Sequence, residues 1–152
     1  MSATAFVYDD FEPPSGLVTP EFVLEPLGPL HNESDYAAWS SSMAHIRATP
    51  GFADGSWPRE MTLEENRADL ERHARDFAGR SGFTYTVLDR SGGDVIGCVY
   101  IYPPRDGDPG DAQVLSWVTA DRAALDLPLW RAVSDWLRDA WPFLKPEYAA
   151  RF

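Results

Sequence analysis

Apolar positions along the chain change period several times, and each change marks an element. The stretch "EFVLEPL", residues 21–27, reads as a short strand stopped by Pro26 and by Gly28-Pro29. Residues 32–51 read as one helix, because Tyr36, Trp39, Met43 and Ile46 are spaced 3, 4 and 3 and so share a face. Asn32 is expected to cap it, with Asp35 as the reciprocal carboxylate, and Pro50-Gly51 to end it. A loop carrying Phe52 and Trp57 follows. A second helix is predicted from Thr62, which forms a capping box with Glu65. Leu63, Leu70 and Phe77 repeat along it as a narrow apolar stripe, Glu71 and Arg75 form an outward i, i+4 pair, and Gly79 or Gly82 terminates it.

The period then drops to two. "FTYTVLD" (83–89) alternates Phe83, Tyr85 and Val87 against Thr84, Thr86 and Leu88, and "RSGG" supplies a tight hairpin into "DVIGCVYIYP" (94–103). That strand is apolar on both faces and should be central in the sheet. "AQVLSWVT" (112–119) is a third strand. A last helix carries Leu129, Val133, Trp136, Leu137 and Ala140 on one side and stops near Trp141-Pro142; "EYAARF" (147–152) is a short final strand. Residues 1–20 read as an irregular arm, packed across the domain through Phe6, Tyr8 and Phe11, and residues 21–152 as a single domain. The order β-α-α-β-β-β-α-β implies a mixed α/β (α+β) fold whose middle strands are antiparallel.

Charge narrows the partners. With 13 Lys and Arg against 24 Asp and Glu among 152 residues, the net charge of −11 repels nucleic acid and anionic membranes, and it suits a cationic ligand or plain solubility. One cysteine, Cys98, precludes an intrachain disulfide and a thiolate-rich metal site. The start "MSATAFVYDDFEPPSG" has neither a basic lead nor a long apolar run, so the expectation is no membrane span and a cytoplasmic protein.

Two stretches resemble the GNAT family of N-acetyltransferases. "GDVIGCVYIYP" is similar to that family's central strand, and "VLSWVTADR" to its run into the cofactor helix; with the element order, the resemblance covers residues 21 to about 140. It implies a mostly antiparallel sheet flanked by helices, acetyl-CoA as cosubstrate and a small-molecule amine as acceptor. Val118 and Thr119 would offer backbone contacts to pantetheine, and Arg122 would open the diphosphate loop. The family's R-x-x-G-x-G/A glycines are replaced: alignment on Pro128 sets Asp126 on the middle glycine and Ala124 on the one before it. As an N-cap, Asp126 would take up the amides a diphosphate needs and would repel it, so the loop is read as degenerate. The chain is also short after the last helix, and Tyr148 is the one late tyrosine that could protonate a leaving thiolate. The sheet edge exposed there calls for the arm or a homodimer partner to cover it.

Other chemistry is sparse. Cys98, mid-strand among apolar neighbours, reads as core. His31, His45 and His73 fall in three elements without metal-ligand spacing, and His45 borders the loop that would flank an acceptor. Tyr100 and Tyr102 lie on the central strand, with Trp39 and Trp57 overhanging it, and together they could hold an amine by cation–π contact. Two functions are carried forward: an acetyl-CoA-dependent N-acyltransferase, and a non-catalytic GNAT-like module that binds a small ligand or a partner chain.

Overall fold

Six strands form one sheet in the computed structural model, which describes residues 5–151. In chain order the elements are β1 (Leu17–Val18), β2 (Phe22–Pro26), α1 (Asn32–Ser40), α2 (Met43–Arg47), α3 (Leu63–Ala78), β3 (Phe83–Asp89), β4 (Val95–Tyr102), β5 (Ala112–Val118), α4 (Asp126–Ala140) and β6 (Pro146–Tyr148). Spatial order equals chain order, and every pairing is antiparallel except β5 with β6. The parallel pair is possible because α4 carries the chain back between those strands, as a parallel connection requires. The mixed, mostly antiparallel sheet and the central place of β4 agree with the sequence pattern.

Alternation divides the sheet into two cores. Phe83, Tyr85 and Val87 meet Leu129, Val133 and Leu137 of α4 on one face. Each such aliphatic side chain contributes about 1.5–3 kcal/mol on burial. The arm joins this face: Phe6 stacks on Phe143 at 5.2 Å, Phe11 lies 5.4 Å from Trp141, and Tyr85 Oη donates to Pro14 O at 2.6 Å. Tyr8, expected to pack with them, is 68% exposed. The arm then adds β1 beside β2, at the opposite edge from β6, so it does not cover the edge for which it was invoked. Residues 1–4 and 152 of the arm and final-strand readings lie outside the described residues.

Helices α1 to α3 cover the other face, over Cys98, Trp117 and Val95. The single helix expected over 32–51 is two. Ser41 Oγ donates to Ala38 O and Ser42 Oγ accepts from Ala120 N–H, so these hydroxyls bond backbone at the point where the helix turns. Asn32 does not cap α1; His31 stands at that position, without a side-chain cap bond, and Asn32 is buried as the first helical residue. The Thr62–Glu65 capping box of α3 is present. Glu71 pairs with Arg67, at 3.8 Å, rather than with Arg75. Leu63 is 40% exposed, and the inward face of α3 runs through Asn66, Leu70, His73 and Phe77.

Asn66 ties the helices together. Its Nδ2 donates to Asn32 Oδ1 (2.9 Å) and Asp35 Oδ2 (3.1 Å), while its Oδ1 accepts from Trp39 Nε1 (3.0 Å). Asn32 Nδ2 in turn donates to Leu63 O at 3.2 Å. Removing the amide leaves three buried groups without a partner, so Asn66→Ala should cost about 2–4 kcal/mol in urea unfolding; a loss under about 1 kcal/mol would show the network to be dispensable.

Burial raises the Asp35 pKa to about 6, against the opposing pull of Asn66 and His31; Asp69 nearby adds a further upward push. The folded state therefore holds this proton more tightly than the unfolded chain. The contribution is complete below the unfolded value near 3.8 and is lost as pH rises through about 6. Stability should fall by up to about 3 kcal/mol across that window, and Asp35→Asn should abolish this part of the pH profile in urea melts between pH 4 and pH 7.

Candidate functional site

A cavity of about 250 Å³ opens between the helical layer and the sheet, lined by residues of α1, α3, β4, β5 and the loop between α2 and α3. Its apolar wall is Phe52, Trp57 and Tyr100, with ring centroids 6.0–6.4 Å apart. The rings meet one another at interplanar angles of 51–72°, so they pack as one tilted cluster along the side of the cavity. Two features fix the loop that carries Phe52 and Trp57. Arg47 Nη2 donates to Pro58 O at 2.6 Å. Gly51, at φ +100°, lies so close to β5 that a Cβ would sit 2.5 Å from Leu115 Cδ2.

The polar lining is acidic. Asp35, Asp69, Arg72 and His73 all face this space, two carboxylates against one guanidinium. Arg72 is shared between Asp69 (3.9 Å) and Asp76 (3.6 Å), which leaves Asp35 as the carboxylate without a cationic contact. His73 adds no charge at neutral pH, because burial, with Arg72 beside it, lowers its pKa to about 4. Tyr102 Oη donates to Asp76 Oδ2 at 2.9 Å, and His73 Nδ1 lies 2.9 Å from both Tyr102 Oη and Thr84 Oγ1. The Nδ1–H tautomer assigned on these bonds satisfies both oxygens and leaves Nε2 as an acceptor. So weak a base cannot strip an alkylammonium, whose pKa resembles that of lysine, near 10; His73 can only accept a hydrogen bond.

At the far edge of β5 lies the slot that the resemblance assigns to a thioester cofactor. Strands β5 and β6 pair from Ala112–Pro146 to Val114–Tyr148 and then part, so β5 runs on to Val118 without a strand neighbour on that side. Thr119 N–H donates to Ile96 O at 3.0 Å, and antiparallel alternation then turns the polar groups of Val118 and Ser116 outward, toward the slot. The Val118 N–H and C=O therefore face that side, whereas the Thr119 N–H is engaged by Ile96 O.

The slot holds side chains. Arg151 Nη2 donates to Ser116 O at 2.9 Å and Nε to Asp126 Oδ2 at 2.8 Å, and its side chain is 4% exposed. Tyr148 Oη is 2.5 Å from Ser116 Oγ, and burial raises its pKa to about 12, which makes it a poor acid. The diphosphate loop is likewise engaged. Residues 120–125 form 3₁₀ turns broken by a kink at Arg122, in which Arg122 N–H donates to Thr119 O and Asp126 N–H to Ala123 O; Ala120 N–H goes to Ser42 Oγ. Asp126 is the first residue of α4 and does not cap it, and its carboxylate faces Arg151. Arg122 pairs with Asp89 instead of facing the helix start. With the Ala120, Arg122 and Asp126 amides engaged and a carboxylate at the mouth, this loop is a poor fit for a diphosphate.

Of the substrate-side candidates, Trp57 and Tyr100 line the cavity, and Tyr102 stands behind His73. Trp39 is buried beneath Trp57, its indole N–H held by Asn66. His45 is not among the lining residues. Sequence reasoning missed Asp35, Asn66, Asp69, Arg72 and His73 as a group. A usable signal was the 4, 3, 4 spacing of Asn66, Leu70, His73 and Phe77, which puts two polar residues on an inward helical face. Arg151 was also missed; nothing in its sequence context marks it.

No known family's sequence pattern matches the chain, and no curated protein does. Solved structures do. The ribosomal-protein-S5-alanine acetyltransferase from Vibrio fischeri aligns with TM-score 0.63 and 14% identity, over 82% of this chain and 68% of that one. A GCN5-related N-acetyltransferase from Brucella melitensis gives 0.65 and 16%, over 90% and 60%. The microcin C7 self-immunity acetyltransferase, in complex with acetyl-CoA and AMP, gives 0.61 and 14%, over 84% and 67%. At such identities the likeness is one of architecture: the chain has the GNAT fold.

Proposed function

We propose that this GNAT-fold chain binds a small organic cation, an alkylamine in its ammonium form, in the cavity beside Trp57. The observation that carries the reading is Asp35, a buried carboxylate with no ion pair among the described residues, beside three aromatic rings. An ammonium about 4 Å from a carboxylate gains about 4 kcal/mol at an effective dielectric near 20. An aromatic face adds about 0.5–2 kcal/mol for a cation. An anionic ligand would face two carboxylates, and a neutral one would leave Asp35 uncompensated. The volume of about 250 Å³ limits the guest to a small molecule.

A second reading, N-acyl transfer from acetyl-CoA to that same amine, is supported by the parting of β5 and β6 beyond Val114 and Tyr148. The spent amides and Asp126 at the loop weigh against it, so binding without transfer is preferred. Release of free thiol from acetyl-CoA in the presence of the amine would reverse that preference.

Calorimetric titration with linear alkylamines, against alcohols and carboxylates of equal length, tests the binding. The amines should bind, and Asp35→Asn should weaken them at least about tenfold, which corresponds to about 1.4 kcal/mol. Affinity should fall as pH drops below about 6, where Asp35 takes up its proton. Equal binding of amine and alcohol would sink the proposal.

A further inference from the structure

We infer that the notch between β5, β6 and α4 is a guanidinium site filled in cis by Arg151, and that this occupancy closes the slot to a thioester cofactor. Three groups build the notch around that side chain. Asp126 Oδ2 takes Nε, Ser116 O takes Nη2, and Ala149 O takes Nη1, at 2.8, 2.9 and 2.9 Å. The Tyr148 ring lies 5.9 Å from the guanidinium carbon. Ser116 O belongs to the run of β5 that lacks a strand neighbour, so Arg151 supplies a donor that a longer β6 would have given. A fork of three donors set at fixed angles can satisfy a carboxylate and two carbonyls at once; an ammonium, a point charge, cannot match that layout.

The same contacts are incompatible with a cofactor. Pantetheine would have to displace Arg151 from Ser116 O, and that would leave Asp126 with no partner at all, since its Oδ1 is already buried without one. Leaving a half-buried carboxylate unpaired in this way is unfavourable. The disagreement between fold and cofactor thus lies in one ion pair, between the acid that replaces the loop's middle glycine and an arginine near the last strand.

Thermal unfolding of Arg151→Ala tests the site directly. The melting temperature should fall by about 5–10 °C. Low-millimolar methylguanidine should recover much of the loss, and methylammonium should not. Arg151→Lys should behave as a poor substitute, close to alanine. No recovery with methylguanidine, or equal recovery with methylammonium, would overturn the assignment. Titration of the unaltered chain with acetyl-CoA decides independently, even where the variant fails to fold. Absence of saturable binding into the millimolar range is expected, and micromolar binding would refute the closure. Alkylamine binding at the cavity is read on the same samples, so its presence or loss bears on that site alone.

Discussion

The buried amide of Asn66 sets the spacing on which the cavity depends. It spends both N–H groups on α1 and its carbonyl on Trp39, so α1 and α3 are held in one relative position by three directional bonds. Apolar contacts alone would let these helices slide and close on the sheet, because dispersion has little directional preference. A satisfied polar network fixes distances, and an unsatisfied one would be costly, so the arrangement is all or nothing. The void beside Trp57 persists because its walls cannot relax inward without breaking that network. Asp35 belongs to both: one oxygen is in the network, and the residue lines the cavity.

Opposite outcomes meet on the two sides of β5. Toward the helices, Leu115 borders open volume with an uncompensated carboxylate near by. Toward β6, the strand's outward carbonyl and the carboxylate of Asp126 are already matched to a guanidinium. The sheet register makes both possible, since alternate residues of one strand address opposite faces and its backbone alternates between its two neighbours. The GNAT architecture is kept, while the chemistry its cofactor edge offers is decided by what fills the notch.

Much of the fold was legible in the residues. Strand 83–89 is legible from alternation, 94–103 from an apolar run on both faces and 112–119 as the strand after the next turn, and their observed bounds differ by no more than a residue at either end. Turn chemistry gave the hairpin, where Gly93 has φ +74°. Residues 32–51 failed as one helix because periodicity is blind to hydroxyls that bond backbone, as Ser41 and Ser42 do. The candidate site was less legible. Aromatics at Trp57 and Tyr100 could be placed on a strand and its overhanging loop, but Asp35 looked like half of a capping box. Whether such an acid caps a helix or lies beneath it depends on Asn66, a residue 31 positions away, and no local pattern carries that.

The distribution of charge follows the same logic. A surplus of acids, −11 overall, would ordinarily be spread over the surface, where solvent screens it. Some are instead held partly or wholly out of water, among them Asp35 beside the cavity and Asp126 at the start of α4. Among the described residues Asp126 has an ion pair and Asp35 has none; His31, whose charge would act on Asp35, sits in contact with Glu25 instead. Arg151 compensates Asp126, and the short ion pair explains why that notch is filled. No side chain of either neighbouring helix brings a cation into contact with Asp35, since Arg72 is divided between Asp69 and Asp76. A cavity that leaves such an acid without an ion pair among the described residues is the feature on which the proposed binding of a cation from solution rests.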